Sequence, residues 1–475
     1  MGDGAAAAHA IGFCCAAQSR SGFAVVMKRP SSIRIGAGAG FSGDRIDPAV
    51  DLAVRGNLDY LVFECLAERT IALAQREKLK NADAGYDPYL EERLSAVLKP
   101  CVQSGVRIIS NMGAAHPIAA ARKTAEIAAG LGLRGLKVAA VHGDDVLALV
   151  KARDGAVQDE EGVLNGLGER LLSANAYLGH EPIVEALRGG ADVVITGRVA
   201  DPSLFLAPLV HEFDWAGDDW DRLGRGTLVG HLLECAGQVS GGYFADPGFK
   251  DVERLAELGF PIAEVTKDGA AEISKIEGTG GLISRATCVE QMLYELHDPG
   301  AYYTPDVIAD FSGARFDDAG KDRVSLSGAG GARRPDALKV SVGYADGWVS
   351  DGQISYAGAG ALERGQLALD VVRERIKRLG DEVLESRFDL IGVNAVSRAA
   401  PEAAWSGSEV RARIAARTKS AAAAQRVNRE VEALYTNGPA GGGGVATSAQ
   451  QTIAIASVFI ERAAVKPALH WEVVT

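Results

Sequence analysis

The stretch Ile33-Arg34-Ile35-Gly36-Ala37-Gly38-Ala39-Gly40-Phe41-Ser42-Gly43-Asp44-Arg45 decides how the chain is read. A short β-branched run enters a loop with glycines at alternate positions, and Asp47-Pro48 then opens an apolar-periodic helix. Strand, glycine loop and helix in succession are the unit of a parallel α/β sheet. Alternating glycines let a backbone come close to a ligand, and the unpaired N–H groups of the following helix start suit a phosphate or carboxylate. The same pattern also describes a tight strand-to-helix turn that binds nothing. The stretch alone does not separate the two.

Outward from it, apolar runs at 59–63, 106–109, 137–141 and 192–195 alternate with helical patterns near 48–55, 67–79, 88–103, 117–131, 145–152 and 203–210. This order predicts an α/β fold, a mostly parallel sheet with helices on both faces. From about residue 335 the pattern changes. Residues 337–343 and 348–357 alternate like antiparallel strands across an Asp346-Gly347 turn, with a helix at 359–379 and a strand at 388–394 behind them. A smaller α+β C-terminal lobe is therefore expected. The divisions are 1–32 as an Ala-rich extension, 33–330 as the α/β domain and 331–475 as the lobe, with a Gly-rich loop at 438–444 whose composition is that of a linker.

At 475 residues the chain can bury more than one core, and its net charge of −12 excludes a nucleic-acid surface, which needs a basic stripe. No run approaches the roughly 18 apolar residues of a membrane span, so a soluble protein is expected. Cysteines 14, 15, 65, 101, 235 and 288 are scattered without a CxxC pair, the usage of reduced thiols in a cytoplasmic protein, and no spacing demands a metal. Residues 1–32 lack the basic start of a secretory signal; Asp3 as their only acid leaves a mitochondrial presequence as the alternative.

Ligands of parallel sheets bind beyond the carboxyl ends of the strands. Those positions carry Ser42, Asp44 and Arg45; Glu64, Cys65 and Glu68; Ser110 and Asn111; His142 and Asp144; and Thr196, Arg198 and Asp201. Some of these are expected to cap helices, Asp144 and Asp201 among them. Cys65 beside a strand reads as packing. His231 and Glu234, three apart on a helix, read as a surface pair or an acid–base pair. A second glycine loop, Gly278-Thr279-Gly280-Gly281, repeats the backbone-donor logic before a helix, and together the two loops point to an anionic ligand.

Several of these segments carry a resemblance. Gly36 to Arg45, Asp59 to Glu68, Ser110-Asn111-Met112-Gly113, Ile195 to Asp201, Gly230 to Cys235, Gly241 to Pro247 and Gly278 to Gly281, in this order, resemble the acyclic terpene utilisation AtuA family. The resemblance implies a role in catabolism of citronellol- and geraniol-like isoprenoids through acyl-CoA thioesters. No resident cofactor is implied; the CoA thioester is the expected substrate. Longer relatives add a small ferredoxin-fold domain, so a separate small subunit or an acyl-CoA carboxylase is an expected partner, and a homo-oligomer the expected state.

On this reading a hydration or lyase step needs carboxylate acid–base groups, with Glu64, Glu68, Asp201 and Asp44 as candidates. Substrate binding falls to Gly36, Gly38, Gly40, Ser42, Arg45, Asn111, Thr196, Arg198, Gly278, Thr279 and Gly280. Two other readings compete. An NAD(P)-dependent oxidoreductase would use the GxGxG run with Glu64 on the ribose, although Phe41-Ser42-Gly43-Asp44-Arg45 stands where its third glycine belongs. A non-catalytic subunit of an acyl-CoA-processing complex is the other.

Overall fold

The computed structural model describes residues 30–397 and 405–475. The readings of residues 1–29, with Cys14 and Cys15, lie outside them. The first seven strands are β1 (Ser32–Ala39), β2 (Tyr60–Phe63), β3 (Arg107–Ser110), β4 (Lys137–His142), β5 (Val157–Gln158), β6 (Leu171–Ala176) and β7 (Val193–Thr196). Five of them pair in parallel in the order β1-β2-β3-β7-β4. These are the five runs that the sequence reads as strands. Every residue of β2 and β7 is buried, as befits strands covered on both faces. The covering helices form two groups: Asp47–Arg55, Leu90–Ser104 and Pro117–Gly130 pack in series, as do Glu181–Arg188, Asp201–Phe213 and Trp220–Leu233.

The α/β class holds, and the sheet is mixed rather than purely parallel. β8 (Pro261–Thr266) runs antiparallel beside β1, and β9 (Ala271–Lys275) follows it. After the short β10 (Tyr302–Tyr303) and β11 (Ile308–Asp310) come β12 (Arg315–Gly320) and β13 (Arg323–Ser327), which complete that edge. Beyond β14 (Gly330–Ala332), the C-terminal part holds β15 (Ala337–Ala357), β16 (Val383–Ile391), β17 (Glu409–Thr418), β18 (Gly443–Glu461) and β19 (Ala468–Val473). The last of these returns to pair antiparallel with β4.

The lobe is a β16-β17-β15-β18 sheet against the helices Ala361–Ile376 and Ala421–Glu432, with its own core around Tyr356, Leu369, Val372, Ile414 and Val427. It is joined to the first part through β15, because Val340–Tyr344 pair with β6 while β5 pairs with β18 at Phe459 and Ile460.

Three local expectations are corrected. The Asp346-Gly347 dipeptide does not turn a hairpin: β15 runs unbroken from Ala337 to Ala357, with β18 beside both halves. Gly347 takes φ +83° at a register shift between Ala345 and Trp348. The positive φ that suits a two-residue turn here makes a bulge, because a 19-residue partner strand spans it. The glycines at 441–444 are not a linker, since Gly443 already begins β18 and Arg364 pins the turn by donating to Ala440 O at 2.9 Å and Ala357 O at 2.7 Å. Gly36 and Gly38 lie inside β1, not in a loop after it.

Candidate active site

Polar side chains meet where the parallel strands end. Glu64 follows β2, and its Oε1 accepts the Leu66 N–H at 2.7 Å and Asn111 Nδ2 at 2.9 Å. Asn111 follows β3 and accepts the Cys65 N–H at 2.7 Å. Beyond β4, Asp144 Oδ2 accepts from Asn175 Nδ2 at 2.8 Å and from the Arg198 N–H at 3.0 Å. Arg198, just past β7, is only 1% exposed, and its guanidinium donates to the carbonyls of Leu66 and Val199 and to Asp201 Oδ1. Thr196 Oγ1 donates to Gly197 O at 3.0 Å. The structure thus gathers Glu64, Asn111, Arg198 and Asp201 into one network through Leu66, while Thr196 bonds only its neighbour Gly197.

One guanidinium serves three carboxyl groups there. Burial raises the pKa of Glu64, Asp201 and Glu234, and Arg198 opposes this in each case. Glu234 adds to the repulsion felt by both Glu64 and Asp201. The three therefore titrate as a coupled group, each held above the ordinary carboxylate value. Glu234 is itself paired, with His231 Nδ1 2.7 Å from its Oε1 and His231 Nε2 3.0 Å from Met292 O. Burial alone would lower His231; Glu234 overcomes it and raises the imidazole. Asp144 is pushed up to about 6 by burial, against the hydrogen bonds it accepts.

Glu68 behaves in the opposite sense. The Tyr177 hydroxyl donates to its Oε1 at 2.5 Å and Lys339 Nζ stands 3.3 Å away. Burial acts to raise this carboxyl, but the Tyr177 hydrogen bond, its own helix-start N–H and the charges of Lys339 and Arg198 bring it down to about 2. Tyr177 is held between two cations, its ring centroid 4.6 Å from Arg198 Cζ and 5.0 Å from Lys339 Nζ.

Glu68, Tyr177, Asp201, Glu295 and Lys339 line a cavity of about 750 Å³ whose remaining wall is largely apolar, with Pro202, Tyr302, Leu338 and Phe459. Asp201 keeps 35% of its side chain open, over a sealed Arg198. Tyr302, its ring 5.1 Å from that of His231, separates the cavity from the His231–Glu234 pair. Glu64, 8% exposed, does not line the cavity.

Tyr177, Lys339 and Tyr302 carry no signal in the sequence. Lys339 reaches the site because β15 runs beside the end of β6, where the Tyr177 N–H donates to Lys339 O at 2.9 Å. Only long-range pairing could have revealed it.

The opening glycines serve packing. A Cβ on Gly36 would meet Leu58 at 2.6 Å, one on Gly38 the Phe63 ring at 2.4 Å, and one on Gly40 the Cys235 carbonyl carbon at 2.4 Å. None of the three has a positive φ. Asp44 closes the loop by accepting the Gly40 N–H at 2.9 Å and the Arg45 N–H at 2.8 Å, and burial raises its carboxyl. Arg45 donates to the carbonyls of Leu255 and Ala256, and the Ser42 carbonyl accepts from Arg93 at 3.2 Å. None of these residues lines the cavity.

Backbone facing a Cβ yields less readily than side chain does. Gly40→Ala should therefore cost about 1–3 kcal/mol, read as a lower urea midpoint. Wild-type stability in that variant would restore the open-loop reading.

The second glycine loop lies elsewhere. Gly278, Thr279 and Gly280 border a cavity of about 870 Å³ that shares no residue with the first. The helix start beside it, Arg285–Leu293, is already satisfied: Ser284 makes a capping box, Asp318 accepts the Arg285 N–H at 2.9 Å and Asp322 accepts the Ile283 N–H at 3.0 Å. Lys275 is paired with Asp322 at 3.1 Å. The donors expected to meet an anion are thus taken by the chain's own groups: carboxylates at Ile283, Arg285 and Lys275, the Ser284 hydroxyl at Thr287, and backbone carbonyls at Thr279 and Gly280.

Cys65, Cys101, Cys235 and Cys288 are free thiols, and burial pushes Cys65 well above its ordinary pKa, as suits a packing residue. Among the described residues no helix is long and apolar enough to cross a membrane.

A family model described as "Acyclic terpene utilisation family protein AtuA" matches residues 33–471, a span that includes all the cavity residues named above. No curated protein and no solved structure matches the chain.

Proposed function

The chain belongs to the acyclic terpene utilisation AtuA family, so its role lies in acyclic terpene utilisation, and we propose that it performs there a hydration, or the reverse lyase-type elimination, on an isoprenoid acyl-CoA. The observation that carries this reading is one cavity holding two carboxyl groups whose pKa values are pushed apart, Glu68 down to about 2 and Asp201 up. Such a pair divides into base and acid. Glu68 takes a proton from water, the hydroxide adds to the β-carbon of an α,β-unsaturated thioester, and Asp201 delivers a proton to the α-carbon. Glu68, held at about 2, then gives its proton to solvent, and Asp201 regains one from solvent through the neighbouring Glu64–Glu234 group, which closes the cycle. Pro202, Tyr302, Leu338 and Phe459 offer a branched acyl chain an apolar wall. Arg333, whose only pairing among the described residues is an exposed one with Asp336, immediately precedes Arg334 and Pro335 at the rim of that wall and suits the nucleotide phosphates.

The oxidoreductase reading loses its support. In a dinucleotide-binding sheet the first strand has a parallel neighbour on each side, whereas β1 has antiparallel β8 on one side. Its glycines are packed against Leu58, Phe63 and Cys235. On the favoured reading the protein works in the cytoplasm, beside an acyl-CoA carboxylase or a separate ferredoxin-fold chain.

A thermal-shift series tests the proposal. A branched acyclic acyl-CoA at about 100 times its Kd adds about 2.7 kcal/mol of stability. The melting temperature should therefore rise with that thioester, more than with CoA alone. A rise with NAD(P) and none with CoA would overturn the proposal. Indifference to all of them, together with a stable complex with a carboxylase, would make the chain a non-catalytic subunit.

A further inference from the structure

Behind the cavity wall is a polar cluster that the acid–base chemistry does not use. His180 and Glu181 stand at the start of the helix Glu181–Arg188, and Asp306 lies between β10 and β11, next to Thr304 and Pro305 of the cavity wall. One ligand-type atom from each of the three lies within 4.8 Å of the others. His180 is 3% and Asp306 1% exposed, whereas Glu181 reaches the surface. We propose that these three residues bind a divalent metal ion of the zinc or manganese class.

The geometry between His180 and Asp306 is the first reason. His180 Nδ1 stands 2.9 Å from Asp306 Oδ1, yet Nδ1 has no hydrogen-bond partner. An imidazolium held this close makes an ion pair with the carboxylate, and a divalent ion ligated by both atoms takes the place of that proton. Ligand atoms about 2.1 Å from a metal are about 3.4 Å apart in the tetrahedral shell usual for zinc and about 3 Å apart at the right angles of an octahedral shell such as manganese takes. The observed separation fits the second arrangement.

The backbone supplies the second reason. A Cβ on Gly179 would lie 2.0 Å from Asp306 Oδ1 and 3.0 Å from Glu181 Oε2, so both carboxylates converge over bare main chain. Glu181 uses Oε1 to pair with Arg334, which leaves Oε2 for an ion. Asp306 is oriented independently, its Oδ2 accepting from Ser203 Oγ and its Oδ1 from the His180 N–H at 2.9 Å. Such support behind a ligand is usual in metal sites. One imidazole with two carboxylates favours Zn²⁺ or Mn²⁺ over calcium and magnesium, which prefer all-oxygen shells. The ion would fasten residues 180–181 to the 304–306 segment, and Ser203, which donates to Asp306, lies two residues from Asp201. It would thereby hold the cavity wall in place.

The test uses the full chain stripped with EDTA and titrated with ZnCl₂ or MnCl₂, read by calorimetry, melting temperature and elemental analysis. One ion per chain and a higher melting temperature are expected. His180→Ala should abolish uptake. Glu181→Gln, at the surface, should keep the metal-free melting temperature and weaken binding about tenfold or more. Failure of the stripped protein to take up either ion at one per chain overturns the proposal, as does wild-type affinity in Glu181→Gln. Neither readout depends on the reaction proposed for the cavity.

Discussion

Glu68→Gln and Asp201→Asn will each lower turnover of the cognate acyl-CoA by about 10²- to 10⁴-fold, the usual worth of a positioned acid or base. Both replacements keep shape and hydrogen-bonding capacity but cannot exchange a proton. Binding of the thioester should therefore survive in each, which separates loss of chemistry from loss of the site. The two variants differ in what they say about pH. Glu68 is ionised down to about pH 2, so it sets no limb of the activity profile in the working range, and Glu68→Gln lowers the whole curve evenly. Asp201 is raised by burial, with Arg198 opposing and Glu64, Glu234 and Glu68 adding to the rise. A reaction that needs it protonated fades as pH climbs through that raised value. Steady-state kinetics from pH 5 to pH 9 on both variants and the wild type make the comparison. Full activity in Glu68→Gln would remove it as the base, and an unchanged alkaline limb in Asp201→Asn would remove that residue as the acid.

How much of this was legible beforehand follows from what each signal depends on. The parallel strands could be read because strands buried on both faces are continuous apolar runs, and Tyr60-Leu61-Val62-Phe63 is one. Glu64, Asn111, Thr196, Arg198 and Asp201 could be read because each follows a strand end within a few residues, where side chains of a parallel sheet converge. Which of them would face open space could not be read. Glu64 and Asp201 look alike in sequence, yet one is buried away from the cavity lining and the other lines it.

The glycine stretch was ambiguous for a physical reason. Removing Cβ from positions 36, 38 and 40 accommodates whatever presses on the strand, and local sequence does not say whether that is a phosphate or Phe63 and the Cys235 backbone. Lys339 and Tyr177 depend on register between β6 and β15, strands more than 150 residues apart in the chain. Asp346-Gly347 shows the same dependence, since a hairpin dipeptide becomes a bulge when a long enough partner strand lies alongside.

Arg198→Met should be among the most destabilising single changes in the protein, costing about 3–5 kcal/mol at neutral pH, because removing one partner of a buried ion pair leaves the other charge unmatched. The Arg198 side chain is 1% exposed, but Asp201 keeps 35% of its own open, so solvent screening holds the loss to the lower end of that range. It also gives up the cation over Tyr177, a contact worth about 0.5–2 kcal/mol.

The distinguishing outcome is the pH dependence of that cost. Glu64, Asp201 and Glu234 bind protons more tightly folded than unfolded. Their protonation therefore favours the folded state fully below the unfolded carboxylate value of about 4 and progressively less as pH rises through the folded values. Arg198 opposes this by holding the charged forms. Without it the folded values move further up, and the variant's deficit should be smallest near pH 5 and grow toward pH 8. Urea unfolding of wild type and variant at four pH values measures the difference directly. A deficit that is the same at pH 5 and pH 8 would show that Arg198 acts through packing alone. The carboxyl groups would then not share its charge, and the proton store proposed for Asp201 would lose its foundation.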